Sequence, residues 1–359
     1  MDIKSSILVT GGAGYIGSHT AVALVEAGFR VVLLDNLCNS ELSAVEGVRS
    51  LVNAGRGASV EVPFYEVDCR DREGVSEVFR SELKKGTRIT GVIHFAALKA
   101  VGESVEKPDL YYDNNIGGTK VLLDVMKEFE VESLVFSSSC TVYGEPKIVP
   151  VDENSPFLPS ESPYGFTKQE CEKLIEEHSK TNDIPKLNSA LLRYFNPIGA
   201  HPSSLIGESP KGIPNNLVPY LCLSAAGTIS PLTVFGTDYP TPDGSCVRDY
   251  LHVMDLAEAH VAAIQYLIAK SLSSNLTGSS HTRAFNLGTG SGVSVLEVIA
   301  AFEKATGIPV PHVLGKRREG DVVSIWAEAS RAKSELQWHA TRSLEEALKD
   351  AWNWQKKSK

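Results

Sequence analysis

The sequence predicts an α/β fold in which helices cover both faces of a doubly wound parallel sheet. In the first half of the chain, short apolar runs alternate with segments whose apolar residues recur at helical spacing. The runs are apolar at nearly every position, which is typical of strands buried on both faces in a parallel sheet. The predicted strands lie at 7–10, 31–34, 60–67, 91–95 and 134–137, and a predicted helix lies at 113–129.

The second half of the chain is less regular and predicts a smaller, mixed α/β unit. Proline and glycine crowd 196–219 and 236–245, which indicates long functional loops rather than a linker. Helical periodicity returns at 253–269, 294–306 and 343–354. A serine-rich stretch at 272–282 predicts an exposed loop.

The composition of the chain excludes several classes of protein. Its 359 residues are enough for two domains, and 42% of them are apolar, so the chain is not disordered. No apolar run is long enough to cross a membrane. The net charge of −9 argues against nucleic acid as a partner, because phosphate backbones require a basic surface. Six cysteines without metal-like spacing, and the lack of a leader-like N-terminus, favour free thiols in the cytoplasm and no bound metal.

A glycine-rich turn follows the first predicted strand. Gly12, Gly14 and Gly17 have the spacing of a dinucleotide-binding loop. In such a loop the first glycine permits the turn, the second admits the pyrophosphate, and the third packs the next helix against the strand. Asp35 ends the following strand, where a carboxylate accepts hydrogen bonds from a ribose diol and repels a 2′-phosphate. The sequence therefore predicts a Rossmann-type sheet that binds NAD in preference to NADP.

A tyrosine and a lysine four positions apart form the candidate catalytic pair. The pattern Tyr-x-x-x-Lys begins at residues 143, 164 and 266. The first occurrence contains glycine and proline, which disfavour a helix, and the third ends an amphipathic helix, where surface stacking is expected. Tyr164 and Lys168 instead follow Pro163 at a predicted helix start, so their side chains share one helical face. Ser139 ends a strand 25 residues before Tyr164.

In this pair Tyr164 could act as a general base with the support of Lys168. A tyrosine with an ordinary pKa of about 10 needs a shift of about three units to act near neutral pH, which corresponds to about 4 kcal/mol. The Lys168 ammonium and a positively charged nicotinamide ring could together stabilise the phenolate to that extent. Ser139 could share the substrate proton through a hydrogen bond.

Nine short motifs follow one another in the chain. They are Thr10-Gly-Gly-Ala-Gly-Tyr-Ile-Gly17, Phe95-Ala-Ala-Leu-Lys99, Tyr112-Asp-Asn-Asn115, Ser137-Ser-Ser-Cys-Thr-Val-Tyr-Gly144, Tyr164-x-x-x-Lys168, Tyr194-Phe-Asn196, Pro214-Asn-Asn-Leu217, Gly244-x-x-Val-Arg-Asp-Tyr250 and Arg318-x-Gly-Asp321. From about Ile7 to Trp354 the chain resembles the extended short-chain dehydrogenase/reductase family, and within it the members that interconvert UDP-glucose and UDP-galactose. The resemblance implies an NAD-binding domain at 1–193 and a UDP-sugar-binding domain at 194–359, with some segments returning to the first.

The resemblance also implies which residues hold each ligand. For NAD they are Gly11, Gly12, Gly14, Tyr15, Ile16 and Gly17 in the glycine loop; Asp35, Asn36, Asn39 and Ser40 at the adenosine ribose; Asp68 and Cys69 at the adenine; and Phe95, Ala96, Lys99, Asn114, Ser137, Tyr164 and Lys168 along the rest of the cofactor. For the UDP moiety they are Asn216, Leu217, Thr233, Val234, Phe235, Arg248, Arg318 and Asp321, and for the sugar they are Lys99, Ser139, Tyr164, Phe195 and Asn196, with Ile325 as the gate. Independently of the resemblance, an acidic protein needs local cations to bind a diphosphate, and Arg248 and Arg318 fit that need.

The implied activity is a reversible oxidation at C4 of the sugar through a 4-keto intermediate, with Tyr164 as the base. Related dehydratases carry an Asp-Glu pair for elimination, whereas this chain has Cys140 and Thr141 there. Three alternatives stay open: a 4-epimerase of another UDP-sugar, such as UDP-GlcNAc/UDP-GalNAc or a UDP-pentose; a dehydrogenase that releases NADH; and a regulatory NAD-binding protein without turnover. Ile325 is intermediate between gate residues that exclude and accept N-acetylated sugars. The family also implies a homodimer.

Overall fold

The computed structural model describes residues 4–57, 59–181, 186–277, 280–318 and 321–357, with the backbone alone for 272–277. Its strands are β1 (Lys4–Thr10), β2 (Val31–Asp35), β3 (Phe64–Glu66), β4 (Thr87–His94), β5 (Ser133–Ser139), β6 (Asn188–Tyr194), β7 (Asn196–Ile198), β8 (Leu232–Phe235), β9 (Val247–Arg248), β10 (Tyr250–His252), β11 (His281–Leu287), β12 (Val293–Ser294), β13 (His312–Gly315) and β14 (Ser324–Ile325). Its α-helices are α1 (Tyr15–Glu26), α2 (Leu42–Asn53), α3 (Arg72–Lys84), α4 (Val101–Glu106), α5 (Pro108–Tyr111), α6 (Gly118–Glu128), α7 (Pro163–Lys180), α8 (Leu217–Ala225), α9 (Val253–Thr277), α10 (Val295–Thr306) and α11 (Leu344–Lys357). Two π-helical segments lie at Tyr112–Gly117 and Ala332–Leu336, and a 3₁₀ turn lies at Cys140–Tyr143.

Seven of the described strands form a central sheet in the order β11-β6-β5-β4-β1-β2-β3. Every pair in this sheet is parallel, which confirms the predicted fold class. The chain progresses outwards in opposite directions from β1 and β4. In such sheets ligands bind outside the carboxyl ends of the strands at the point where the order reverses, so a site is expected beyond the ends of β1 and β4.

Helices cover both faces of the central sheet. Ile7 and Val9 of β1 belong to a core that includes α1, α2 and α9, whereas Leu8 belongs to a core that includes α3, α6 and α7. Because alternate side chains of a strand point to opposite faces, both sets of side chains are buried. This arrangement explains why the strands are apolar at nearly every position.

The later part of the chain forms a smaller mixed unit from α8, α10, α11 and short strands around a separate apolar core. Strand β9 pairs antiparallel with β12 and parallel with β14. Strand β11 returns to the central sheet beside β6. The domain boundary at 193/194 stays a prediction. Within the described residues, none of the helices is both long and apolar enough to cross a bilayer.

Two predictions of local structure are wrong. The predicted strand at 60–67 is a strand only at Phe64–Glu66, because Pro63 has no N–H group to donate to a ladder. The serine-rich stretch at 272–282 is not a loop, since α9 continues to Thr277 and β11 begins at His281, with 278–279 outside the described residues. The predicted helix at 113–129 is confirmed, as a π-helical segment that becomes α-helical at Gly118.

All six cysteines lie in the described part of the chain and are free thiols, as the sequence predicts.

Candidate active site

The glycine loop joins β1 to α1 at the carboxyl edge of the sheet. Gly11 has a φ of +67°, a conformation that favours glycine. A Cβ on Gly11 would also lie 2.7 Å from the backbone nitrogen of Ala96. The glycine that permits the turn is therefore Gly11 and not Gly12 as predicted, because β1 ends at Thr10 and the turn begins immediately after it. A Cβ on Gly17 would overlap the Gly11 carbonyl oxygen, so this glycine packs α1 against the loop, whereas the prediction placed the contact at the strand.

The start of α1 has the properties of a phosphate-binding site. Gly14 is the N-cap residue, and within the described structure no side-chain hydrogen bond caps the helix there. The N–H groups of the first turn, including those of Tyr15 and Ile16, are therefore available to an anion. The nearest atom to a Cβ on Gly14 would be the Gly11 carbonyl oxygen at 3.1 Å, so the loop backbone is uncovered around it. These residues fit the pyrophosphate of a dinucleotide.

We expect Gly17→Ala to weaken dinucleotide binding by at least tenfold, because the added methyl group forces the backbone of the loop away from α1. The measurement is the amount of NAD bound per chain after gel filtration, followed by titration of the stripped protein. Gly102→Ala is the matched control, since a Cβ on Gly102 meets no atom within 4 Å. Equal NAD contents in the two variants would show that the packing of Gly17 does not matter for binding.

Asp35 holds the glycine loop against the turn that follows β2. Its Oδ2 accepts a hydrogen bond from the Ala13 N–H at 3.0 Å. Its Oδ1 accepts from the Leu37 N–H at 2.9 Å and from the Ser40 hydroxyl at 2.7 Å. A carboxylate has about four acceptor sites, so one remains for a ribose hydroxyl. The structure therefore adds a structural role for Asp35 to the binding role that the sequence predicted.

Residues expected around the adenosine, at its ribose and its adenine, form a polar cluster beyond the ends of β2 and β3. The Asn36 amide donates to Asp68 Oδ2 at 2.9 Å. The Arg70 guanidinium also donates to Asp68, at 2.8 Å, and holds the pKa of that carboxyl well below its usual range. Cys69 is buried and Asn39 is exposed. Arg70 was not predicted from the sequence, because its pairing depends on the turn after β3.

Tyr164 and Lys168 lie at the beginning of α7, beside the end of β5. Ser162 caps this helix and Pro163 occupies its first position, which confirms the predicted helix start. Lys168 Nζ donates to the carbonyl oxygen of Ser137 at 2.7 Å. The same nitrogen lies 5.9 Å from the centroid of the Tyr164 ring. The strand end and the helix start therefore bring the two residues together as the spacing predicted.

The protein environment acts on the two titratable groups in different ways. Burial lowers the pKa of Lys168 to about 8. Burial raises the pKa of Tyr164 above its ordinary value, and the hydrogen bond with the Ser139 hydroxyl opposes this shift. The protein alone therefore does not provide the stabilisation of the phenolate that catalysis near neutral pH requires.

The loop after β4 lies beside the glycine loop. It carries Phe95, Ala96 and Lys99. The Phe95 N–H donates to the Thr10 carbonyl oxygen at 3.0 Å, which joins the ends of β4 and β1. Asn115, next to Asn114 in the π-helical segment, pairs with the Leu98 N–H at 2.9 Å and with the Leu98 carbonyl oxygen at 3.0 Å. Asn115 is thus a supporting residue that sequence reasoning missed.

Two of the residues expected at the sugar, Phe195 and Asn196, lie past the end of β6. Phe195 is buried and packs in one cluster with Val142, Tyr143 and Ile325, so the gate residue lies within this cluster. Asn196 begins β7, where its N–H donates to the Asp249 carbonyl oxygen at 2.9 Å.

The residues expected at UDP are spread over three elements of the smaller unit and the segment between β13 and β14. Asn216 and Leu217 start α8, Thr233, Val234 and Phe235 lie in β8, and Arg248 lies in β9. Arg318 pairs with Asp321 at 2.7 Å, and its guanidinium lies 5.3 Å from the Phe235 ring centroid. Burial raises the pKa of the Cys140 thiol to about 11, and the Arg248 charge opposes this shift.

Two supporting features around the site were not predicted. Asp249 is buried and accepts hydrogen bonds from the N–H groups of Thr289 at 2.8 Å and Ala327 at 3.2 Å, so it fixes the strands that carry Arg248 and Ile325. The other feature is a buried ion pair between Glu172 and Arg193 beneath the catalytic helix. Both depend on contacts between residues that are far apart in the sequence.

Comparisons with known proteins agree with this geometry. The sequence pattern of the family described as GDP-mannose 4,6 dehydratase matches residues 8–351. UDP-glucose 4-epimerase of Neisseria meningitidis serogroup A is 49% identical over 97% of this chain and 96% of its own length. UDP-glucose 4-epimerase of Bacillus subtilis is 49% identical over 98% and 96%. The chain belongs to the UDP-glucose 4-epimerase branch of this family.

Solved structures of epimerases in this branch have the same fold as the chain. The UDP-glucose 4-epimerase of Stenotrophomonas maltophila with bound NAD and formylated UDP-arabinopyranose superposes with a TM-score of 0.90 at 45% identity, over 98% of each chain. The Bifidobacterium longum enzyme in complex with NAD+ and UDP gives 0.88 at 45% identity, again over 98% of each chain. The family description names a dehydratase, but Cys140 and Thr141 occupy the positions of the acidic pair that elimination requires. This difference favours epimerisation within the family.

Proposed function

We propose that the chain catalyses the reversible, NAD-dependent epimerisation of UDP-glucose and UDP-galactose at C4. The observation that carries the proposal is the arrangement of Tyr164, Lys168 and Ser139 at the carboxyl edge of the sheet, beside a glycine loop built for a dinucleotide. The epimerases that the chain resembles have the same fold and were solved with NAD. The chemistry that bound NAD supplies is a reversible transfer of hydride at C4.

The catalytic residues of the chain move a proton at the sugar. Tyr164 Oη takes the proton of the 4-hydroxyl group as C4 is oxidised and returns it as C4 is reduced. The Lys168 ammonium stabilises the phenolate, and its bond to the Ser137 carbonyl fixes it beneath the Tyr164 ring. Ser139 donates or accepts at the same oxygen. Inversion follows when the 4-keto sugar presents its other face before reduction.

The residues of the smaller unit anchor the nucleotide while the sugar turns. Arg248 and Arg318 provide the positive charge that an acidic protein needs around a diphosphate. Phe235 has 42% of its surface exposed, so its ring is available to stack on a uracil. Tight binding of UDP with few contacts to the sugar is what such a rotation requires. The residues predicted for NAD, UDP and the sugar are part of this proposal.

The first test is to incubate the purified protein with UDP-galactose without added NAD and to separate the UDP-sugars. We expect conversion towards a mixture rich in UDP-glucose, and NAD released on denaturation. Absence of conversion with added NAD would refute the proposed reaction. Growth of absorbance at 340 nm in proportion to substrate would identify a dehydrogenase instead. Parallel reactions with UDP-GalNAc would show whether Ile325 admits N-acetylated sugars.

We also propose that the chain forms a homodimer in the cytoplasm. Val105 of α4, Leu110 of α5 and Phe166 of α7 are apolar and have 62%, 39% and 40% of their surfaces exposed. Helices α4 and α5 pack against α7, so one face of the molecule carries these side chains. The free thiols fit a reducing compartment. Light scattering at several concentrations is expected to give twice the chain mass, and Phe166→Glu is expected to give the monomer.

A further inference from the structure

The segment from Gly199 to Asn216 crosses the edge of the sheet next to the glycine loop. At its start, the Tyr15 hydroxyl donates to the Gly199 carbonyl oxygen at 2.6 Å. Further along, Lys211 Nζ donates to the carbonyl oxygens of Leu37 at 2.8 Å and Cys38 at 3.0 Å, in the turn expected to hold the adenosine ribose. The segment therefore spans from the pyrophosphate loop to the ribose turn.

Glu208 lies in the middle of this segment and joins two residues with different expected ligands. Its Oε1 accepts from Lys99 Nζ at 3.0 Å and from Asn216 Nδ2 at 2.9 Å. Lys99 follows β4 on the cofactor side, and Asn216 is the N-cap residue of α8 on the nucleotide-sugar side. The Glu208 side chain is only 11% exposed. The Trp354 indole donates to the backbone carbonyl oxygen of Glu208 at 2.9 Å, which fixes the backbone that carries the carboxylate.

We propose that Glu208 is a positioning residue that keeps Lys99 and Asn216 in place for the two diphosphates and holds the segment closed over NAD. This inference rests on the proposed function. The Lys99 side chain is 47% exposed. Without the ion pair to Glu208 it would become ordered only when a ligand binds, at a cost in conformational entropy. An ammonium has three N–H donors, and within the described residues Glu208 uses one of them. The other two are then aimed by the ion pair and available to phosphate oxygens.

The partners of Glu208 explain why its carboxylate is tolerated beside ligands that carry negative charge. The Lys99 ammonium neutralises it, and the Asn216 amide donates to the same oxygen. If Glu208 is replaced, both donors lose their common acceptor, while the rest of the segment keeps its other contacts, including those of Gly199, Ile206 and Lys211. Release of NAD and weaker binding of UDP-sugar are therefore expected together, while the proton transfer at Tyr164 is unaffected.

The test compares wild type, Glu208→Ala, Glu208→Gln and the control Glu345→Gln. Glu345 is a suitable control because it pairs with Lys304 at 3.3 Å on the surface of the smaller unit. For Glu208→Ala we expect about tenfold faster loss of NAD during dialysis and about tenfold higher KM for UDP-galactose, with kcat at saturating NAD within about twofold. Glu208→Gln keeps an acceptor but no charge and is expected to give about threefold effects. Glu345→Gln is expected to behave as wild type.

Each result separates this inference from the proposed function. Wild type that holds no NAD and converts no UDP-galactose would refute the proposed function. Wild type that does both, with Glu208→Ala equal to it in NAD loss and KM, would refute only the role of Glu208. A fall in kcat without a change in KM or NAD retention would also overturn it. If Glu208→Ala does not fold, the decision falls to Glu208→Gln, whose NAD loss and KM must then exceed those of Glu345→Gln.

Discussion

Tyr164→Phe is expected to lower kcat for UDP-galactose epimerisation by a factor of about 10² to 10⁴, because it removes the only atom of the side chain that can exchange a proton with the 4-hydroxyl group. The phenyl ring keeps the packing of α7 and its place near Lys168. NAD content and UDP affinity are therefore expected to stay within about twofold of wild type. The measurements are the initial rate, the NAD released on denaturation, and titration with UDP.

The chain offers a control that matches the motif. Tyr266 and Lys270 have the same spacing, and Lys270 Nζ lies 5.3 Å from the Tyr266 ring centroid, as the expected surface stack requires. Tyr266→Phe is expected to leave kcat unchanged within about twofold. A Tyr164→Phe protein with near-wild-type turnover would remove the catalytic assignment, and equal losses in both variants would indicate a general effect on the fold.

The elements that position the site could be predicted where the signal is local. The strand pattern predicted the ends of β1 and β2, and Pro163 marked the start of α7. These signals depend on residues close together in the chain, so one sequence is enough to interpret them. The predicted strand at 60–67 failed because a single backbone group, the missing N–H of Pro63, decided the outcome.

The supporting residues could not be predicted, because their partners are distant in sequence. Glu208 meets Lys99 across 109 positions, and Asp249 meets Ala327 across 78. Neither lies on a periodic pattern that would indicate which face of an element it occupies. The role of Gly11 also needed the structure, since the glycine spacing indicates Gly12 and only the backbone dihedral angle shows that Gly11 makes the turn.

The ion pair beneath the catalytic helix predicts the largest effect on stability. Glu172 of α7 and Arg193 of β6 have side chains that are 1% and 6% exposed, and they meet at 2.6 Å. The Ser138 hydroxyl donates to the same carboxylate, and Arg193 Nη1 donates to the Tyr143 hydroxyl at 3.1 Å. The pair therefore joins α7 to β5 and β6, about one helical turn after Lys168. Its groups are fully desolvated, so an unpaired partner is costly.

Glu172→Gln is accordingly expected to lower the free energy of unfolding by about 3–5 kcal/mol, since it leaves the Arg193 guanidinium buried without a counter-charge. The double variant Glu172→Gln/Arg193→Gln removes both charges and is expected to recover at least half of that loss, because burying neutral amides costs less than burying one unpaired ion. Urea unfolding followed by circular dichroism measures both. Glu170→Gln on the same helix, whose partner Lys173 is 54% exposed, is expected to change the free energy by less than about 1 kcal/mol. A double variant no more stable than the single one would show that the hydrogen bonds to Ser138 and Tyr143, and not charge pairing, hold α7 on the sheet.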